Sequence, residues 1–396
     1  MSNKPSGQTL AVRAGLETDE QHGAVVPPLH LSSTFTYAGY GQPRAYDYTR
    51  TANPTRDVLA EALTELEGGV GATVTCTGMA AITLVCQLVD PGDLVIAPYD
   101  CYGGTFRLLS DFAQRGLFRL ELIDQTDAAE LNRALALNPR LVWVETPTNP
   151  LLRIVDLWKL SQRLQDSDAL LAVDNTFLSP VLQRPIEFGA DLVVHSTTKY
   201  LNGHSDVVGG AVVATTPELH EQMQYWANAL GLTGAPFDSF LTLRGLRTLH
   251  ARMRLHEENA NALANLAVAH AAVRCVHYPG LPDHAGHALA KRQQHGFGGM
   301  LSLELAGGES AAQVFLEALQ YFSLAESLGG VESLAAHPWS MTHGVVDEAS
   351  KLAAGLCAGL VRLSAGIEAT ADLVADVEQA LDCVLSAASA RVSALG

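Results

Sequence analysis

Apolar positions change their spacing along this chain, and each change marks a different kind of structure. Residues 1–60 sustain no period and are rich in turn-formers: Pro27-Pro28, Gly39, Gly41, Pro43 and Asn53-Pro54. Such a stretch reads as an extended arm lying against another surface, a second subunit included. From Thr55 the positions Val58, Leu59, Ala62, Leu63 and Leu66 recur at helical spacing, and Gly68-Gly69 stops them. Short β-branched runs then alternate with amphipathic helices to about residue 215, with strands predicted at 72–76, 94–98, 120–123, 141–145, 171–174, 192–195 and 207–213. Most of these runs are almost continuously apolar, the mark of strands covered on both faces. The pattern predicts a mostly parallel α/β sheet with functional groups at strand C-termini and in the loops beyond them. After about residue 255, strand-like segments at 300–305 and 360–364 are separated by helices. The chain closes on a long helix whose Leu373, Val377, Leu381 and Val384 form an apolar stripe opposite Asp372 and Asp376. The expected division is an arm (1–60), a large domain (61–255) and a smaller α+β domain (256–396).

Composition narrows the classes of function. Of 396 residues, 48% are hydrophobic and 17% charged, which describes a large buried interior rather than disorder. Acidic residues outnumber Lys plus Arg by 42 to 25, a net charge of −17. That charge repels phosphates and anionic lipid, arguing against nucleic acid and membrane as partners. No apolar run is long enough to cross a bilayer, and the polar residues 1–10 lack a secretory pattern. Cys76, Cys86, Cys101, Cys275, Cys357 and Cys383 show no Cys-x-x-Cys pairing, as expected of reduced thiols in a cytoplasm.

Candidate chemistry gathers at the strand ends. Among Lys4, Lys159, Lys199, Lys291 and Lys351, only Lys199 follows an apolar strand, Leu192-Val193-Val194, with the hydroxyls Ser196-Thr197-Thr198 between. Partial desolvation lowers the pKa of such an amine and frees it to condense with an aldehyde. A rim cation that merely binds an anion fits the same context. Asp174 ends the run Leu171-Ala172-Val173, where a carboxylate is costly unless a cation faces it. The protonated pyridine nitrogen of pyridoxal-5′-phosphate (PLP) is one such cation, and a turn cap is the alternative. Thr77-Gly78-Met79-Ala80 joins a strand to a helix whose free N–H groups could receive a phosphate. The ring of Tyr102, before Gly103-Gly104, could stack on a cofactor or simply anchor its loop. Tyr48 and Arg50, in the arm, suit a dianionic phosphate from outside the domain. No Gly-x-Gly-x-x-Gly follows a strand and no Walker lysine loop occurs, so nucleotide sites fall away. His284 and His287, with His277 nearby, have no cysteine or carboxylate cluster beside them in sequence, and no metal is expected.

Several runs agree in order with one family. Ser196-Thr197-Thr198-Lys199-Tyr200-Leu201-Asn202-Gly203-His204-Ser205-Asp206 resembles the lysine signature of the Cys/Met-metabolism PLP enzymes. Tyr48-Thr49-Arg50 with Asn53-Pro54-Thr55-Arg56, Glu145-Thr146-Pro147-Thr148-Asn149-Pro150, Val173-Asp174-Asn175-Thr176 and Ala325-Glu326-Ser327-Leu328-Gly329-Gly330 resemble its other motifs. The resemblance spans nearly the whole chain. It implies PLP fold type I, the aspartate-aminotransferase-like fold, in a homotetramer built from two tight dimers. It also implies Lys199 as the Schiff-base lysine and catalytic base, Asp174 as the pyridine partner and Tyr102 as the stacking ring and a proton carrier. Gly78, Met79, Ser196 and Thr198 would cradle the phosphate, with Tyr48 and Arg50 lent by a neighbouring subunit. Arg362 would hold the substrate α-carboxylate near Asn149 and Ser327. From the residues alone, Arg362 ends a strand where a guanidinium can grip a carboxylate in bidentate fashion or pair across a domain interface.

Within the family, the chain is most similar to the bacterial cystathionine γ-synthase branch. Gly104 stands where methionine γ-lyases carry cysteine, and Glu326 matches a glutamate of cystathionine-handling members. The implied reaction joins an O-acyl-L-homoserine to L-cysteine, with Glu326 reading a second amino group and Arg107 a distal carboxylate. Thr51 stands where some synthases carry a second arginine, so succinyl and acetyl esters both stay open. A γ-lyase, an O-acylhomoserine sulfhydrylase and a PLP carrier without turnover are the alternatives.

Overall fold

A computed structural model describes residues 5–341 and 348–395. Two sheets organise the chain. The first has seven strands: β1 (Gly71–Thr75), β2 (Leu94–Pro98), β3 (Arg119–Ile123), β4 (Leu141–Glu145), β5 (Leu170–Asp174), β6 (Leu192–His195) and β7 (Gly210–Ala214). Their order is β1-β7-β6-β5-β4-β2-β3, and β7 alone runs antiparallel to its neighbours. Five of these strands are buried along their whole length, as their near-continuous apolar runs require. The predicted seventh strand began at residue 207; the structure starts it at Gly210. A Cβ on Gly210 would stand 2.2 Å from the Thr77 carbonyl oxygen, so only glycine lets the backbones pass this closely. Val208 is left 60% exposed in the preceding loop.

The second sheet has five strands, β8 (Val273–His277), β9 (Met300–Leu305), β10 (Ser323–Leu324), β11 (Leu334–Ala336) and β12 (Leu360–Ser364), in the order β10-β11-β12-β9-β8. The helix Leu249–Ala269 carries the chain from one sheet to the other. The closing helix Thr370–Leu395 buries Leu373, Val377, Leu381 and Val384 as its stripe predicts. Asp376 departs from expectation: it is buried, not on the polar face. Its two oxygens accept the backbone N–H groups of Gln320 (2.8 Å) and Tyr321 (2.9 Å). That segment follows the helix Glu309–Ala318 and its cap Leu319, and the carboxylate satisfies its two N–H groups.

The arm is not wholly extended. It opens on helix α1 (Gly7–Arg13), capped by Ser6, before the irregular stretch to Asn53. Helix α2 (Pro54–Glu67) starts where its cap dictates: Asn53 Oδ1 accepts from the N–H groups of Thr55 (2.9 Å) and Arg56 (3.4 Å). Gly68, at φ 82°, ends it in the left-handed region. Among the described residues no helix is long and apolar enough to cross a membrane.

Candidate active site

The C-terminal ends of β4, β5 and β6 open into a cavity of about 540 Å3 that lies between the two sheets. Its lining includes Gly78, Met79, Tyr102, Arg107, Asn149, Asp174, Ser196, Thr198, Lys199, Glu326, Ser327 and Arg362, twelve of the fourteen expected site residues. The remaining two, Tyr48 and Arg50, are exposed and do not line it. Arg50 Nε donates to Asn228 Oδ1 (3.0 Å) and its guanidinium lies over the Tyr48 ring.

Each side chain is placed by an element end. Thr77 caps α3 (Gly78–Cys86), its Oγ1 accepting from Ala80 N at 2.9 Å, and leaves the first N–H groups of that helix facing the cavity. Gly78 must be glycine, because a Cβ there would meet Ser196 Cβ at 2.9 Å and Oγ at 3.0 Å. Tyr102 stands just before α4 (Gly103–Gln114), its backbone N–H donating to Glu145 Oε2 at 2.9 Å. Gly104 leaves room for the ring; a Cβ would come within 2.5 Å of Tyr102 Cε1. The Thr198 hydroxyl is already engaged with the carbonyl and N–H of Gly209.

Lys199 Nζ donates to Ser327 Oγ at 2.8 Å. Burial, reinforced by the Arg362 charge and opposed by Glu326, lowers its pKa to about 8. Arg362 comes from β12 in the other sheet. Its Nη1 donates to Asn149 Oδ1 (2.9 Å), its Nη2 to the Ser327 carbonyl (2.8 Å), and its buried Nε has no hydrogen-bond partner among the described residues. Burial brings this guanidinium down to about 10. Ser327 adopts φ 93°, a left-handed conformation uncommon for serine. Ser302 on β9 ties the same region to the Asn149 loop by donating to the Pro150 carbonyl (2.8 Å).

Asp174 accepts from Thr176 N at 2.9 Å; burial raises its pKa. Glu145, quoted above only within a motif, lines the cavity beside it. Both end parallel neighbouring strands in matched register, and burial with the adjacent Asp174 raises the Glu145 carboxyl to about 8. The signal was present in the sequence: Leu-Val-Trp-Val-Glu and Leu-Leu-Ala-Val-Asp are twin apolar runs that end on acids.

These features suit PLP. Lys199 is a depressed amine, Asp174 a half-buried carboxylate lining the cavity, and Gly78 to Met79 an N–H cradle against Ser196. The volume is in the range of small-molecule sites. His277 proves less isolated than its sequence context implied. Cys275, from the bulged edge strand β8, and Glu304, from β9, bring donor atoms within 4.8 Å of it. Arg274 already pairs with Glu304 Oε2 in that cluster.

The two-sheet fold and this constellation define a PLP-dependent enzyme of fold type I. The model of the Cys/Met metabolism PLP-dependent enzymes matches residues 8–382, and the chain belongs to that family. Cystathionine γ-synthase of Escherichia coli K12 is 53% identical over 93% of this chain and 96% of its own. The structure of cystathionine γ-synthase from Xanthomonas oryzae pv. oryzae, in complex with aminoacrylate and cysteine, is 57% identical. It superposes with a TM-score of 0.96 over 97% of this chain and 99% of that one. Cystathionine γ-lyase from Lactobacillus plantarum, complexed with L-serine, is 40% identical with a TM-score of 0.93, over 96% of this chain and 100% of that one.

Proposed function

We propose that this protein joins an O-acyl-L-homoserine to L-cysteine, forming L-cystathionine and releasing the carboxylic acid. The observation that carries the synthase reading is the identity gradient: γ-synthase relatives stand at 53 and 57%, against 44% for a β-lyase and 40% for a γ-lyase. The Cγ–O bond breaks, a Cγ–S bond forms, and the thiol proton is released.

Lys199 would be the attachment amine. Asp174 would pair with the ring nitrogen, the Tyr102 ring would stack on the cofactor, and Gly78, Met79, Ser196 and Thr198 would take the phosphate. Thr198 would turn its hydroxyl from Gly209 to do so. When bound, PLP supplies an electron sink for the charge left as substrate protons are removed. Arg362, oriented by Asn149, grips the substrate α-carboxylate in bidentate fashion. Lys199 Nζ, poised above the Ser327 hydroxyl, takes the Cα proton and later returns one, with Tyr102 as a second proton carrier. Glu326 receives the ammonium of the incoming cysteine, and Arg107 a distal carboxylate. In this reading residues 1–60 form an arm that lends Tyr48 and Arg50 to a neighbouring subunit. Residues 61–255 hold the cofactor and 256–396 the substrate, with the helix Leu249–Ala269 spanning the join. The assembly is a dimer of dimers in a reducing cytoplasm, in keeping with six free cysteines.

Product analysis with O-succinyl- and O-acetyl-L-homoserine, each with and without cysteine, tests the reading. Cystathionine should form with cysteine from at least one ester, faster than cystathionine is cleaved. Ready cleavage without synthesis would assign the chain to the lyases, and activity with sulfide alone to the sulfhydrylases.

A further inference from the structure

Beneath the cavity lies a pair of buried titratable side chains that the reaction above does not use. Glu67 is the last residue of α2 and His195 the last of β6, and both are fully buried. Their Oε1 and Nε2 atoms are 2.6 Å apart. The same Glu67 oxygen accepts from Asn175 Nδ2 at 3.0 Å. Asn175 follows Asp174 directly, and His195 directly precedes Ser196. One carboxylate oxygen at a helix end therefore ties down both strand ends that face the cavity.

The tie extends sideways. Asn175 Nδ2 also donates to the Gln183 carbonyl (2.7 Å), and its Oδ1 accepts from Gln183 Nε2 (3.1 Å). Gln183 Nε2 reaches the carbonyl of Thr146 (3.0 Å), the residue after Glu145. One buried hydrogen-bonded chain thus runs under the ends of β4, β5 and β6.

A carboxylate buried alone is costly, and His195 is the only ion-pair partner of Glu67 among the described residues. Among the described residues Glu67 Oε2 and His195 Nδ1 have no hydrogen-bond partner, so the Asn175 bond is the only further compensation the pair receives there. On the cavity side Asp174 stands beside a second acid, Glu145. Burial pushes the Asp174 carboxyl upward; bonds from Thr176 and the charge of His195 oppose that push.

We propose that Glu67 and His195 are a positioning pair that fixes where Asp174 stands toward the cofactor ring nitrogen. The inference rests on the reading of this cavity as the PLP site. Its test compares wild type, His195→Gln and Glu67→Gln by PLP dissociation constant, visible absorption of the bound cofactor and thermal midpoint. Gln at 195 keeps a donor for Glu67 and Gln at 67 keeps an acceptor for His195, but neither reproduces the ring-to-carboxylate geometry of the pair. His195→Gln should weaken PLP binding about tenfold and alter the visible spectrum, and Glu67→Gln should do the same to a smaller degree. A lower thermal midpoint with binding and spectrum unchanged would make the pair merely structural and overturn the inference. Should either single variant fail to fold, the double variant, with two amides and no buried charge, carries the same expectation. A wild type that binds PLP on Lys199, with variants indistinguishable from it, sinks this inference alone. A wild type that binds no PLP there sinks the site reading as well.

Discussion

Burial and the neighbouring Arg362 bring the Lys199 amine down to about 8, and the neutral amine is the form that attacks an aldehyde. The sign follows: raising the pH through about 8 increases the neutral fraction, so PLP should add to the apoprotein faster and then level off. Stopped-flow absorbance across that range checks it. A profile centred on the ordinary lysine value of 10.5 would refute the burial argument. Lys199→Ala should lose the visible absorption of the attached cofactor and roughly 10²–10⁴-fold of turnover, the usual worth of a positioned acid–base group. Borohydride reduction with peptide mapping gives a second check, since an adduct on another lysine would displace the assignment. Lys199 and Asp174 stood out in the sequence because Asp174 ends an apolar run and Lys199 follows one closely across three hydroxyls, where a charge has no reason to stand without a partner. Glu67 and His195 did not. They lie 128 positions apart, and neither position differs in pattern from an ordinary helix end or strand end.

Helices and strands were read from spacing, and the reading failed where burial did not follow spacing. Strand β8 is largely exposed or half-buried, so its residues carry no continuous apolar run, and β10 and β11 are too short to show a period. The arm helix α1 has a single buried residue, Ala11, too little for an apolar face. Asp376 was placed with the solvent because it is charged, yet two backbone N–H groups from a distant segment hold it inside. Asp376→Ala should strip both N–H groups of their charged acceptor in a part-buried setting, lowering local stability by roughly 1–3 kcal/mol. Hydrogen exchange at the Gln320 and Tyr321 amides would report it directly: both should lose protection, while Asp376→Asn, with one oxygen kept, loses less. Unaltered protection in the alanine variant would mean that these amides are held by something other than the carboxylate.

At the scale of the whole molecule, Tyr48 and Arg50 stand outside the cavity of their own chain, although the family resemblance assigns them to a phosphate. An arm lent to a neighbouring subunit, as proposed above, would reconcile the two. Mixing inactive Arg50→Ala with inactive Lys199→Ala under conditions that exchange subunits should restore part of the activity, because hybrid dimers contain one site with both residues intact. Hybrids that form and stay inactive would leave Arg50 serving its own chain.

The route by which Arg362 reaches Lys199 has a further consequence. The guanidinium belongs to one sheet, the amine to the other, and Ser327 touches both. On the proposed reading, a substrate gripped by its α-carboxylate from one sheet and deprotonated at the adjacent carbon from the other would be a rivet through two plates. Remove the carboxylate, as in a simple alkylamine, and the plates are no longer clamped in register at the reacting carbon. Such an amine should react with a depressed maximal rate and not merely a weaker hold, because the grip on one end is what aligns the other.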